Sequence, residues 1–91
     1  MPVDSVLELI GDTPVVRLKK IGGEGCADIH AKLESFNPGY SVKDRLGEAL
    51  IRDGESRGFL KPGGTVIEPT AGNTGIGVAL AGVQLGYRVI L

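Results

Sequence analysis

The sequence predicts a three-layer α/β fold, in which helices flank a parallel sheet, and three observations support it. Residues 65–91 alternate as strand, loop, helix and strand, the order of a βαβ unit with two parallel strands and a right-handed crossover. The helical segment, residues 75–85, is apolar or small at nearly every position, which is typical of a buried helix. The 15 glycines lie between apolar segments, where tight turns are needed.

Two short strands are predicted in the first third of the chain. Residues 14–18 follow the turn signal at residues 11–13, and residues 28–33 alternate between apolar and polar side chains. A glycine-rich loop around Cys26 joins them. His30 lies on the polar side of the second strand, and the chain has only 1 histidine. We therefore interpret His30 as a surface residue and not as a metal ligand or acid–base group.

A helix is predicted to begin after the turn-forming residues 35–40. Ser41 is the predicted N-cap, and Asp44, three positions later, would complete a pair resembling a capping box. Gly58 ends the helix. The spacing of apolar residues predicts a stripe along one side of this helix, formed by Val42, Leu46, Ala49 and Leu50.

The second half of the chain supplies the βαβ unit. A turn at residues 61–64 precedes a strand at 65–68, and a loop at 70–74 leads into the buried helix. Residues 87–91 begin another strand, and the sequence stops within it. Because a parallel sheet is normally covered and continued, we expect a single domain that is the amino-terminal part of a larger protein. The alternative is a complete mini-domain closed by oligomerisation.

The composition excludes several classes of partner. Lys and Arg number 10 and Asp and Glu number 11, which gives no electrostatic reason to expect nucleic acid or an anionic membrane. No apolar run is long enough to cross a bilayer, and the first residues lack the features of a secretory signal. We expect a cytoplasmic protein whose single cysteine, Cys26, is a bystander thiol.

Lys43 is the first residue with a chemical interpretation. It is predicted to lie in the first turn of a helix, where the macrodipole is positive and disfavours a cation. A helix start therefore favours the neutral amine, which is the form that Schiff-base chemistry requires. The alternative is an ordinary surface lysine beside Asp44, whose carboxylate offsets the dipole.

The loop at residues 69–77 is the second chemical feature. Backbone amides at a helix N-terminus, together with the side chains of Thr70, Asn73 and Thr74, suit a carboxylate or a phosphate. The alternative is an ordinary strand-to-helix turn with Asn or Thr as the N-cap. The glycine spacing does not match the dinucleotide fingerprint, and the Walker A pattern lacks its Lys-Ser/Thr pair.

Three motifs resemble those of cysteine synthase (O-acetylserine sulfhydrylase) and cystathionine β-synthase. Residues 35–45 (SFNPGYSVKDR) are similar to the family's cofactor lysine segment, and residues 68–75 (EPTAGNTG) to its substrate-carboxylate loop. Residues 10–18 (IGDTPVVRL) resemble its opening segment, and all three occur in order at the family's spacing. Val42, just before the lysine, favours the cysteine synthase branch, because related dehydratases usually have phenylalanine there.

The resemblance implies a tryptophan synthase β-like fold and a role for each matching residue. Lys43 would hold pyridoxal 5'-phosphate as an internal aldimine and would later move protons as a general acid and base. Asn73 would hydrogen-bond the ring oxygen of the cofactor. The amino-acid carboxylate would be bound by Thr70, Gly72, Asn73 and Thr74.

The implied reaction is β-replacement, in which O-acetylserine or serine loses its β-substituent and a thiol or sulfide adds. The leading interpretation is cysteine synthase. Cystathionine β-synthase with homocysteine is an alternative, because Ala71 stands where serine is commonest and some relatives that prefer homocysteine carry alanine. A non-catalytic fragment and an anion-binding α/β module are further alternatives.

Two other features of the resemblance bear on function. Tyr40 replaces a small residue, often glycine, beside the cofactor segment. The family's phosphate-binding loop and pyridine-nitrogen partner lie beyond Leu91, so the 91 residues alone are expected to be inactive. The family is usually homodimeric, which we expect of the full-length protein.

Overall fold

The computed structural model describes residues 2–91, which form four short strands and two helices. The strands are β1 (Val15–Leu18), β2 (Ile29–Lys32), β3 (Thr65–Ile67) and β4 (Arg88–Ile90). The helices are α1 (Lys43–Ser56) and α2 (Asn73–Gln84). Two 3-10 turns, Val6–Leu9 and Glu34–Phe36, precede β1 and α1 respectively.

The segment from β3 through α2 to β4 is the predicted βαβ unit. The two strands are parallel, with Thr65 opposite Arg88 and Ile67 opposite Ile90. The pairing continues for one more bond, because the Glu68 amide donates to the Ile90 carbonyl at 3.1 Å. The prediction of parallel strands joined by a helix is therefore confirmed. The helix is buried on one side only, because Ile76 and Val83 are 48% and 66% exposed.

The first two strands form a separate antiparallel hairpin. Val15 lies opposite Lys32 and Leu18 lies opposite Ile29. Within residues 2–91 there are thus two sheets of two strands each, and they do not join into one parallel sheet. The hairpin strands are mostly exposed on both faces, so this part of the chain lies outside the core.

The core is small and lies between the two helices and the parallel pair of strands. Its buried apolar members are Leu7, Ile51, Val78, Ala81 and Tyr87. The hydroxyl of Tyr87 donates to Glu55 Oε2 at 2.8 Å, and this bond is the main reason that the pKa of Tyr87 is raised. The polar end of the buried ring is thereby satisfied.

Glycines set the distance between the two helices. A Cβ atom added at Gly47 of α1 would overlap the backbone of Gly77 in α2, and one added at Gly77 would overlap the Lys43 carbonyl. Because neither position has room for a side chain, the two helix backbones are in direct contact. This crossing places the first turn of α1 against the second turn of α2.

The predicted apolar stripe of α1 does not face this core. Leu46 and Leu50 are 38% and 45% exposed, and Val42 and Ala49 are also exposed. The buried positions of α1 are Asp44, Gly47 and Ile51. At about 100° per residue, the stripe lies roughly 60 to 160° around the helix from Gly47. The glycine contact with α2 fixes the rotation of α1 and turns the stripe outward.

Both helix starts differ from their predictions. Helix α1 begins at Lys43, and the Ser41 hydroxyl accepts a bond from the Lys43 amide at 3.1 Å. The capping-box pair is wrong, because the Asp44 carboxylate accepts from the Gly39 amide instead of reaching Ser41. Helix α2 begins at Asn73, two residues before the predicted Gly75, because the Gly72 carbonyl already accepts the first helical bonds.

Candidate active site

The contact between the helices brings the two predicted functional loops to the same region. Lys43 opens α1, and Gly77, whose Cα lies against the Lys43 carbonyl, is in the second turn of α2. The loop at residues 70–72 leads directly into that helix. The lysine and the start of α2 are therefore held by one rigid backbone contact.

The Lys43 side chain is exposed at the N-terminal end of α1. Its backbone amide is bound by Ser41, whereas its ammonium group makes no hydrogen bond or ion pair with any residue in the range 2–91. The Lys43 side chain is therefore unpaired, whereas its backbone is held by the contact with Gly77.

Asp44, the residue after Lys43, is buried with 0% exposure. One carboxylate oxygen accepts from the Gly39 amide, and Oδ1 has no partner among residues 2–91. A Cβ atom added at Gly39 would overlap this carboxylate. The glycine is therefore required for the loop to fold back onto the helix start.

A second carboxylate, that of Glu34, joins three segments around the same helix start. Its oxygens accept from Thr13 Oγ1 at 2.6 Å, from Asn37 Nδ2 at 2.9 Å, and from Arg45 Nε and Nη2 at 2.8 and 3.1 Å. The Arg45 guanidinium is the main reason that the pKa of Glu34 falls to about 2. We call Thr13, Glu34, Asn37 and Arg45 the Glu34 cluster.

The Glu34 cluster also reaches the turn before β1. Asn37 is buried, and its Oδ1 accepts from the Gly11 amide at 2.9 Å. Sequence reasoning assigned no role to the Glu34 cluster, although Thr13, Asn37 and Arg45 lie within the motifs that it singled out. The sequence did contain one sign of this cluster, because the oppositely charged Glu34 and Arg45 flank the loop that precedes α1.

In the loop before α2, the hydroxyl of Thr70, a predicted ligand group, is hydrogen-bonded to nearby backbone amides. The Thr70 hydroxyl accepts from the Gly75 amide at 3.0 Å and from the Gly72 amide at 3.4 Å. The N-cap of α2 is Gly72, without a side-chain cap, so the suggestion of Asn or Thr as N-cap is wrong. The first amides of a helix lack intrahelical acceptors, and those of Asn73 and Thr74 are therefore available to a ligand.

A cavity lies elsewhere, beside the hairpin. It has a volume of about 290 Å³ and is lined by the hairpin and its loop, including Arg17, Cys26 and Asp28. Cys26 is a free, exposed thiol. Among residues 2–91, no cluster of His, Cys, Asp and Glu could hold a metal ion, and no helix is long and apolar enough to cross a membrane.

Comparison with known proteins identifies the family. Residues 6–91 match the model of a family described as pyridoxal-phosphate dependent enzyme. The chain belongs to this pyridoxal-phosphate dependent enzyme family. The predicted resemblance and the cofactor that it implies are thereby confirmed at the level of the family.

Individual members of the family agree with this assignment. The chain is 48% identical over 98% of its length to a cysteine synthase from Staphylococcus aureus. It is 51% identical over 97% of its length to an O-acetylserine dependent cystathionine beta-synthase from Bacillus subtilis. It spans 29% of the length of each of these curated relatives.

Solved structures give the same result for the fold. The crystal structure of O-ureido-L-serine synthase matches 98% of the chain with a TM-score of 0.86 at 46% identity, and the chain covers 28% of it. The backbone of the chain therefore has the arrangement found in the corresponding part of this larger enzyme.

The free groups of the site suit the cofactor of the family. The Lys43 ammonium, the Asn73 side chain and the Thr74 hydroxyl have no hydrogen-bond partners within residues 2–91. A Cβ atom added at Gly72 would meet no atom within 4 Å, so the loop is open on that side. An amine, an amide and a helix N-terminus are the groups that an aldehyde, a ring hydroxyl and a carboxylate require.

Proposed function

We propose that the protein carries out β-replacement on O-acetylserine or serine with pyridoxal 5'-phosphate, and that its main product is cysteine. The observation that carries the proposal is the free Lys43 amine, held by the glycine contact beside the open N-terminus of α2. Relatives at 48 and 51% identity bear the names of enzymes of this kind.

Lys43 is the proposed attachment residue for the cofactor. When bound, the cofactor would supply an electron sink for the amino-acid substrate. The Nζ atom of Lys43 would then hold and deliver protons at the substrate, acting as base and acid in turn. The absence of a hydrogen-bond or ion-pair partner for this group among residues 2–91 supports this role.

The loop before α2 is the proposed site for the substrate carboxylate. The free amides of Asn73 and Thr74, with the Thr74 hydroxyl, would donate to its oxygens. The Gly72 amide faces the Thr70 hydroxyl at 3.4 Å, a long bond that a carboxylate would replace. Thr70 would contribute its hydroxyl hydrogen, and the Asn73 side chain would bind the cofactor's ring oxygen.

Homocysteine is a second candidate acceptor, which would make the protein a cystathionine β-synthase. Ala71 is exposed in the loop and offers no hydroxyl to the carboxylate. One relative is named for this activity with O-acetylserine as the donor. Comparing product formation from O-acetylserine with sulfide and with homocysteine, at matched concentrations, separates the two acceptors.

The complete enzyme is proposed to be a cytoplasmic homodimer with a three-layer fold. The chain spans 29% of the length of its curated relatives, and its exposed residues include Phe36, Leu50 and Val83. We propose that further protein, from the same chain or from a partner, covers these apolar side chains. Groups for the cofactor's phosphate and pyridine nitrogen would come from the same additional protein.

Exchange of Lys43 tests the proposal in the full-length protein. Lys43→Ala is expected to abolish β-replacement, whereas Lys61→Ala, which changes an exposed lysine in a turn, keeps full turnover. Retained turnover in Lys43→Ala would exclude the assignment. If the protein is only an anion-binding module, Lys43→Ala instead leaves ligand binding unchanged and neither form turns over substrate.

A further inference from the structure

The Glu34 cluster contacts the first turn of α1, which carries Lys43, through the side chain of Arg45. Arg45 lies two residues after Lys43 in the same turn of α1, and Thr13 and Asn37 belong to two segments earlier in the chain. Glu34 contacts all three, with distances from 2.6 to 3.1 Å. One carboxylate therefore ties the start of α1 to the turn before β1 and to the loop that precedes the helix.

The negative charge of Glu34 compensates positive charge at the start of α1. The first turn of α1 carries two cationic side chains, Lys43 and Arg45, and one buried carboxylate, Asp44, at the positive end of the helix dipole. Arg45 donates two bonds to Glu34, the two-pronged geometry that gives an arginine–carboxylate pair its directional rigidity. Glu34 neutralises Arg45 alone, since the ammonium of Lys43 has no partner in the described chain.

The start of α1 is thus held from two sides. On one side the Gly77 backbone of α2 lies against the Lys43 carbonyl. On the other, the guanidinium of Arg45 is fixed by Glu34, which is itself fixed by the largely buried Thr13 and Asn37. A side chain that must meet a reacting carbon needs such a second layer of support, because small displacements cost large factors in rate.

We infer that Glu34 and Arg45 are positioning residues for Lys43, and that their paired contact aims the Lys43 amine at the cofactor. This inference rests on the proposed role of Lys43. Neither residue need touch the cofactor, because each acts through the backbone of the first turn of α1. The same contact leaves Lys43 as the unpaired cation of that turn.

The test compares single and double variants in full-length protein. Glu34→Gln and Arg45→Gln each remove one partner of the pair, and the double variant removes both. Asp28→Asn is the matched control, because Asp28 pairs with Arg17 at 2.8 Å on the exposed hairpin, away from α1. Each protein is checked for folding by circular dichroism and then titrated with pyridoxal 5'-phosphate.

Two readouts report on Lys43 itself. The first is the dissociation constant of pyridoxal 5'-phosphate, and the second is the share of borohydride-fixed label on Lys43 relative to the other lysines. Each single variant is expected to weaken binding and to lower the Lys43 share by about tenfold or more. The double variant should lose little beyond either single one, since the residues act as a pair. The Asp28→Asn control should match the unaltered protein.

A purely structural role gives a different result. Variants that unfold at lower temperature but bind the cofactor normally and keep the label on Lys43 would overturn the inference. If the unaltered protein carries no label on Lys43, the proposed function fails instead, and the two failures are distinguished. Should Glu34→Gln not fold, Arg45→Lys and Thr13→Val weaken the cluster more gently. Unchanged binding and labelling in both would also overturn the inference.

Discussion

Tyr40 has a backbone conformation that glycine adopts more easily than any other residue. Its φ angle is 68°, and its side chain is 82% exposed. Its amide donates to the Asn37 carbonyl at 2.8 Å, which holds the turn in place. A non-glycine residue in this region costs on the order of 1 kcal/mol. Sequence comparison with the family had already marked this position as one usually occupied by a small residue.

Substitutions at Tyr40 test whether this strain is present. Tyr40→Gly is expected to have a free energy of unfolding about 1 kcal/mol higher than Tyr40→Ala, because alanine keeps the unfavourable Cβ atom. Denaturant unfolding of the two variants measures the difference. At an exposed position with negative φ the order would be reversed, so greater stability of Tyr40→Ala would contradict the assigned conformation.

The charge of Glu34 makes a prediction about pH. Hydrogen bonds from Arg45, and secondarily from Thr13, lower the pKa of Glu34 from 4.5 to about 2, although burial opposes the shift. A carboxyl group whose pKa is lower in the folded state stabilises that state above its unfolded pKa. The contribution disappears as the pH falls through the folded value.

The difference in unfolding free energy between the protein and Glu34→Gln should therefore be constant above about pH 4.5 and shrink towards pH 2. Urea titrations at a series of pH values between these limits measure it. A difference that stays constant down to pH 2 would show that the Glu34 carboxylate is not stabilised by its neighbours.

At the scale of elements, the packing of α1 on α2 depends on glycine. Gly47 and Gly77 meet backbone to backbone, and the same contact holds the Lys43 carbonyl. A side chain at either position would separate the helices and move the first turn of α1. Overpacking of this kind costs about 1–3 kcal/mol, and here the contacted atoms belong to backbone that cannot rotate away.

Gly47→Ala is expected to lower the free energy of unfolding by about 3 kcal/mol. Gly54→Ala, in the same helix, is the matched control, since its added Cβ would lie 2.9 Å from the flexible end of Leu60. The gain in helix propensity offsets that contact, so the control should remain within about 1 kcal/mol of the unaltered protein. Equal stability of the two variants would contradict the close helix crossing.

The same contact explains which parts of the elements the sequence could predict. The βαβ unit was predictable because strand propensity, turn residues and an apolar helix are local signals. The orientation of α1 was not, since Leu46 and Leu50 face outward only because Gly47 must face α2. Similarly, Asp44 bonds to Gly39 instead of Ser41, because the loop before α1 folds back onto the helix.

At the scale of the whole molecule, the chain is more extended than a compact domain of the same length. The radius of gyration is 16.7 Å, whereas a compact domain of this length has about 12 Å. The β1–β2 hairpin, whose strands are mostly exposed, lies outside the core and fits this extended shape. The three-layer arrangement that the sequence predicted is therefore a proposal for the complete enzyme, of which this segment contains one parallel pair of strands.

The sequence predicted those parts of the candidate site that lie within continuous motifs. It singled out the lysine segment and the loop before α2, and the structure brings their backbones together. The Glu34 cluster was not found, because its contacts join residues 3 to 32 positions apart and no single segment contains them. The hydrogen bond from the Gly75 amide to the Thr70 hydroxyl was also not predicted, because it depends on how this loop folds.

The most direct test of the central claim is borohydride reduction of the protein as purified, followed by intact and peptide mass spectrometry. We predict a pyridoxyl-phosphate adduct on the peptide that contains Lys43, because reduction makes a covalent bond between lysine and cofactor permanent. The intact mass also gives the length of the natural chain. A full-length, folded protein without an adduct at Lys43 would contradict the claim.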